Sequence, residues 1–182
     1  MPSYPIRPRT EADLPAVADL LLATHETDAY PVMIPDDLAV LEAWGAASDV
    51  VEAWVAVDRD ASVVGHVVLT EPDDGPATPQ WEAATGQPAG RLVVVRRLVV
   101  HHRAQGTGTG RALLATAVAA AHRLGRRPVL DMSDNLTIAS ALYTSAGFTE
   151  VGEYELDLGE HQLRVLTWVG PTAPSPGAAT GR

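Results

Sequence analysis

The chain has 182 residues, no cysteine and a formal net charge of −10 at pH 7. That length predicts one domain with a real core. The missing thiols exclude disulfides, Cys-ligated zinc and cysteine nucleophiles, and the charge argues against nucleic acid as main partner, since a polyanion is held by a basic face.

No apolar run reaches the length of a membrane span, and the opening MPSYPIRPRT lacks the apolar core of a signal peptide. The expectation is a cytoplasmic protein that meets no membrane. Tyr4–Arg9 is extended and punctuated by prolines, as suits a first or edge strand. Thr10 with Asp13 three residues on predicts a helix start, and Leu14, Val17, Ala18, Leu21 and Leu22 repeat at helical spacing. That helix is expected to fray at His25–Pro31. Pro35, Asp36 and Asp37 predict the cap of a second helix carrying Leu38, Leu41 and Trp44. The loop between the two holds His25, Glu26, Asp28 and Tyr30, which either line a substrate pocket or sit on the surface. Val50–Val57 and Ser62–Leu69 are β-rich runs around Asp58–Ala61, a hairpin.

Glu71–Gly90 is rich in proline, glycine and acids and reads as a long loop; at that length it is expected to be a lid, a binding loop or disordered. Arg91–Val100 is almost continuously apolar, so a central strand buried on both faces is expected. Arg96 and Arg97 interrupt it. Adjacent strand side chains face opposite ways, so one arginine needs a cavity, an ion pair or a bulge. Arg111–Leu124 reads as a helix stopped by Gly125. Pro128–Met132 is a buried strand, Ser133–Asn135 lead into a helix through Tyr143 that ends at Gly147, and Phe148–Leu158 with His161–Val169 form a last hairpin across Gly159 and Glu160. The order predicts an α/β fold with a mixed central sheet of six to seven strands and flanking helices, built around one right-handed βαβ unit.

The stretch Leu98–Leu114, LVVHHRAQGTGTGRALL, concentrates the chemistry. A β-branched run ends at two histidines, glycines follow at alternate positions (Gly106, Gly108, Gly110), and a helix begins at once. Glycine permits positive φ and close approach to bare amides, and a helix start presents N–H groups without internal partners. Strand, glycine loop and helix start together form an anion cradle. Eight of the thirteen basic residues fall within residues 91–127, all arginine, which suits a small anionic ligand at one place. The acidic remainder suits a cationic partner such as an amine. A Rossmann fingerprint fails because Arg111 stands where its third glycine belongs, and a Walker A motif fails because the chain has no lysine. No metal site is expected.

Gln105-x-x-Gly108-x-Gly110, and in an alternative register Arg103-x-x-Gly106-x-Gly108, resembles the acyl-CoA loop of the GNAT N-acetyltransferase superfamily. Ile6–Leu14, Val64-Gly65 and Leu142–Phe148 (LYTSAGF) resemble that family's opening strand and helix, third strand and closing element, in the same order. The resemblance implies a GNAT-type acyl-CoA N-acyltransferase domain over residues 1–170; residues 171–182, rich in Pro, Gly, Ala, Ser and Thr, are expected to be a disordered tail. It implies acetyl-CoA as cosubstrate and direct attack of a primary amine on the thioester, through a tetrahedral intermediate. The pyrophosphate would rest on Gln105, Gly106, Thr107, Gly108, Thr109, Gly110 and Arg111, with Arg103 beside them. The pantetheine arm would pair with Leu98, Val99 and Val100 like an added strand, and Asn135 would contact it. Asn135 has an equal alternative as a helix N-cap. Val100 N–H would serve the oxyanion, and Tyr143 would protonate the departing sulfur.

No acid lies on Arg91–Val100, where many members carry a glutamate, so the base is open between Glu71, Asp131, His101, His102 and relayed water. A small-molecule amine is the expected acceptor, and a homodimer is compatible with such folds. A non-catalytic acyl-CoA sensor and a protein acetyltransferase acting on N-termini or lysines are the alternatives.

Overall fold

The structure is a computed structural model that describes residues 4–28, 49–157 and 162–174. In chain order its elements are β1 (Ile6–Pro8), α1 (Leu14–Asp28), β2 (Val50–Val57), β3 (Val63–Thr70), α2 (Ala77–Thr85), β4 (Leu92–Val100), α3 (Thr109–Arg123), β5 (Arg127–Ser133), α4 (Thr137–Ser145), β6 (Thr149–Asp157) and β7 (Gln162–Val169). Short 3-10 turns stand at Glu11–Asp13, Ala89–Arg91 and His102–Ala104. The strands form a seven-stranded sheet in the order β1-β2-β3-β4-β5-β7-β6, mixed as the sequence predicts. The chain divides into two compact units, Met1–Glu71 with Val95–Ala117, and Pro72–Val94 with Val118–Arg182.

In the first unit, Thr10 starts the helical segment as expected. The Asp13 carboxylate accepts from the Thr10 amide (2.7 Å) and hydroxyl (2.8 Å), and pairs with Arg7 at 2.7 Å. Arg7 and Thr10 together hold that carboxyl well below the usual carboxylate range. The chain then makes one 3-10 turn before α1, which runs on to Asp28 past the predicted fraying point. Val17, Ala18, Leu20 and Leu21 of α1 are buried against Val55 and Val99. The β2–β3 hairpin is where the alternation placed it, and its turn is closed by Asp58, whose Oδ1 accepts from the amides of Asp60 and Ser62 (3.0 and 2.9 Å).

The second unit corrects one expectation. Glu71–Gly90 is neither a long loop nor a lid, because Ala77–Thr85 is helix α2. Its Trp81 is 0% exposed and packs with Ala77, Leu92, Val94, Val129 and Val169. The Gln80 amide donates to Glu153 O (3.0 Å) and accepts from Thr167 (2.9 Å), which ties the helix to β6 and β7. Prolines and glycines at 76, 86, 88 and 90 disguised a helix of nine residues, since they sit at its ends, where they are tolerated. β4 pairs with β5 in parallel from Leu92↔Arg127 to Val94↔Val129, and β7 runs antiparallel to both β5 and β6. The second helix expected at Pro35–Trp44, the loop residues 29–31, the turn at Gly159 and Glu160, and the tail from residue 175 lie outside the described residues. No helix among the described residues is long and apolar enough to cross a membrane.

Candidate functional site

In the first unit, β4 does not continue as a regular strand. Val95 is still buried, but Arg97 has φ 52°, in the left-handed region, and beyond it Leu98 and Val100 are half-buried while Val99 is buried against α1. The adjacent arginines are therefore accommodated by a kink, and burial on both faces holds only for the first half of the strand.

Past Val100, His101 N–H donates to Val64 O (2.9 Å), so the chain leaves β4 tied to β3. The loop is stiffened from within. Thr107 Oγ1 donates to Ala104 O (2.7 Å), the Thr107 and Thr109 hydroxyls bond at 2.7 Å, and Gln105 Nε2 donates to Val100 O (3.3 Å). Gly106 and Gly108 have φ of 73° and 85°, and a Cβ at either would meet nothing within 4 Å. These two glycines are there for backbone conformation. Gly110 is not part of the loop. α3 starts at Thr109, two residues before the Arg111 start read from the sequence, and its bond from Ala112 N–H to Gly108 O (3.0 Å) leaves the amides of residues 109–111 at the helix's open end. The helix start lies close over Gly65 of β3, where a Cβ would be 2.8 Å from Leu113 Cδ1 and 3.4 Å from Thr109 Cγ2.

The remaining candidates of this unit surround that loop in sequence. Arg103 pairs with Asp58 at 3.0 Å, an exposed contact that costs little to exchange for an anion. Arg111 is exposed on the first turn of α3. His101 accepts from the Arg103 amide at Nδ1 (3.2 Å), and its ring lies 4.2 Å from that of His102. Burial, then His102 and Arg103, push its pKa below the ordinary histidine value. Glu71 is exposed just beyond β3, its N–H donating to Asp49 O (2.8 Å).

Three candidates belong to the second unit. Tyr143 is a buried residue of α4, its ring centroid 5.7 Å from that of Phe148. The Asn135 side chain accepts from Ser133 Oγ (2.6 Å); the N-cap position of α4 is Leu136, so the alternative of Asn135 as helix cap is overturned. Asp131 accepts from the Tyr154 hydroxyl (2.7 Å). Among the described residues, no group of His, Asp and Glu could hold a metal ion.

Sequence reasoning missed His66. It is 0% exposed on β3, with Arg9 Nη1 3.3 Å from its Nε2 and Arg97 O 3.2 Å from its Nδ1. Burial, then the charges of Arg9 and Arg97, push its pKa down to about 3. The one available signal was a lone histidine inside the apolar run SVVGHVVL.

A pH dependence follows from His66. Unfolded, the ring takes a proton near the ordinary value of 6.5, while the folded protein refuses it down to about 3. The contribution is therefore complete above pH 6.5 and is lost as pH falls from there toward 3. At pH 5.5, above the isoelectric point of 4.9, the loss from this ring is on the order of 1 kcal/mol. Asp13, with an ordinary value of 3.8 that is depressed on folding, adds its own loss only as pH falls through about 4. Urea unfolding at pH 7.5 and 5.5 measures the difference, and in His66→Asn this share is expected to vanish.

A family model described as an acetyltransferase (GNAT) domain matches residues 49–150, more than half of the chain. Solved structures of the same fold include the ribosomal-protein-alanine N-acetyltransferase of Brucella melitensis, at 23% identity and TM-score 0.67 over 91% of this chain and 98% of that one. Another is yncA from Salmonella typhimurium with its cofactor acetyl-CoA, at 20% identity and TM-score 0.67 over 97% and 99%. A spermidine N-acetyltransferase SpeG chimera from Vibrio cholerae and hSSAT aligns at 19% identity and TM-score 0.68 over 92% and 94%. At these identities the likeness is one of fold. No curated protein sequence matches the chain. The loop fits the anionic end of acetyl-CoA, with two left-handed glycines in open space against a free helix start.

Proposed function

We propose, for a chain that belongs to the GNAT acetyltransferase family and so transfers acetyl from acetyl-CoA, that the acceptor is a small cationic primary amine. The observation that carries the cofactor's placement is the left-handed pair Gly106 and Gly108 opening onto the start of α3. On this reading the amides of Gln105–Arg111 hold the pyrophosphate, with Arg103 released from Asp58 to join them, and the backbone edge Leu98–Val100 takes the pantetheine arm as an added strand. Asn135 adds its side-chain amide to that arm.

The bound cofactor supplies an acyl thioester. Val100 N–H is the donor for the carbonyl oxygen as it gains charge. Tyr143 Oη holds the proton for the departing sulfur; a phenol near pKa 10 can serve a thiolate near 8.5 at close range. Glu71 is the group assigned to take the amine's proton, directly or through water.

The acceptor class rests on charge, since a net −10 draws cations toward the protein. The neighbours named for their acceptors act on amines, a ribosomal-protein alanine and spermidine. With α2 packed into the core, charge is the support for the acceptor class. The absence of any carboxylate on β4 favours one second reading, an acyl-CoA sensor without turnover.

Calorimetry with acetyl-CoA and CoA, joined to free-thiol release over polyamines, monoamines and N-terminal peptides, separates these readings. Thiol release highest with small cationic amines supports the proposal. Turnover on peptides alone points to a protein acceptor, and binding without acceptor-dependent release points to the sensor. Gly108→Ala puts a Cβ at φ 85°, which is expected to cost about 1–2 kcal/mol of stability. It should also raise the Kd for CoA roughly tenfold by turning the loop amides away. Paired urea unfolding and calorimetry check both.

A further inference from the structure

We infer that His66 is a positioning residue: by donating Nδ1–H to the carbonyl of Arg97 it holds the kink of β4, and so sets the backbone edge Leu98–Val100. The inference rests on the reading that this edge receives the pantetheine arm.

His66 faces Val55 across the β2–β3 ladder and is fully enclosed. A histidine in such a place costs free energy unless both ring nitrogens are satisfied. The partner at Nε2 is Arg9 Nη1, at 3.3 Å. A guanidinium only donates, so Nε2 must accept and carries no hydrogen. The single proton of the neutral ring is then on Nδ1, which lies 3.2 Å from Arg97 O. Arg9 thus selects the tautomer, and the tautomer supplies the donor to Arg97.

The group that receives this bond is the residue that needs support. Arg97 stands at φ 52° inside a strand, a conformation a non-glycine residue keeps only when its surroundings dictate it. The next three residues are Leu98, Val99 and Val100. Were the Arg97 peptide to relax to regular strand geometry, the backbone N–H and C=O groups of these three would turn from their present directions with it. The cationic surroundings act in the same sense. Arg9 and Arg97 face the ring and, with burial, keep it neutral, so the Nε2 acceptor persists across ordinary pH.

Three replacements separate positioning from plain stability. The side-chain amide of His66→Asn can place a donor close to where Nδ1 stands, whereas His66→Gln reaches only toward Arg9 and His66→Leu offers neither group. All three are expected to lower Tm. Calorimetry with CoA should show the Gln and Leu variants weakened about tenfold and the Asn variant within about threefold of wild type. Affinities that follow Tm, with Asn no better than Leu, overturn the inference.

Two readouts need no ligand. Nitrogen NMR of the wild-type ring is expected to show the proton on Nδ1, and an Nε2–H tautomer overturns the inference even if no variant folds. Amide resonances of Leu98–Val100 should move in the Leu variant and return toward wild type in the Asn variant. If wild type binds no CoA while these amides behave so, the cofactor placement fails and the positioning role stands.

Discussion

Tyr143→Phe is expected to lower kcat about 10²-fold, the scale of a lost general acid, while the Kd for acetyl-CoA stays within about threefold. The ring is buried against Phe148 at 5.7 Å, so phenylalanine keeps the packing and the change is confined to the hydroxyl. Stability should shift by no more than about 1 kcal/mol. Steady-state thiol release with the best amine of the panel, set beside a calorimetric titration, reads both quantities. A kcat within about threefold of wild type would remove Tyr143 from the acid role and leave it as packing. An equal loss in kcat and in cofactor affinity would instead point to a misplaced α4.

The second large effect is structural. Trp81→Ala is expected to cost about 3–5 kcal/mol, since the side chain is fully buried in one core cluster with Ala77, Leu92, Val94, Val129 and Val169, against which Val151 and Tyr154 pack. That is a large fraction of a typical domain's stability, so the variant should be studied at low temperature. Trp81→Phe fills most of the space and should lose roughly half as much or less. A lid residue would behave differently, changing the KM for the acceptor with little effect on the unfolding midpoint. Urea unfolding and acceptor kinetics on the pair of variants therefore test whether Ala77–Thr85 is a core helix in solution.

The failure to see α2 in the sequence has a local cause. Its nine residues, ATPQWEAAT, show weak periodicity and include a proline in the first turn, and the flanks are all punctuation. Trp81 is the one large side chain the helix buries, and a single aromatic in a polar stretch looks like a surface residue until the strands that cover it are in place. The β2–β3 hairpin was legible for the opposite reason. Two eight-residue β-branched runs meet at an Asp-rich turn, and each signal is local.

The glycine loop was half legible. The glycine spacing identified it and separated it from nucleotide-fold loops. It did not distinguish the two glycines that turn the chain, Gly106 and Gly108, from Gly110, which is simply the second residue of α3. Left-handed backbone is a property of position, and glycine in a first helical turn reads the same on paper. The paired arginines 96 and 97 behaved likewise. Strand alternation required an irregularity there, and φ 52° at Arg97 is that irregularity, but the histidine 31 residues earlier that supports it gave no pattern to follow. The role offered for Asn135 as a cap fell because the helix starts later, with Leu136 at its cap position.

By itself, then, the amino-acid sequence determined the order of the seven strands and of helices α1, α3 and α4, the family and its acetyl-CoA cosubstrate, because each is written in spacing along a few consecutive residues. The tertiary structure alone decided that Glu71–Gly90 contains a core helix, that β4 breaks at Arg97, and that Arg9, His66 and the Arg97 carbonyl form one buried chain of hydrogen bonds. Those three depend on groups distant in sequence satisfying one another away from water. A buried polar group declares its partner only when the fold has brought the partner within about 3 Å.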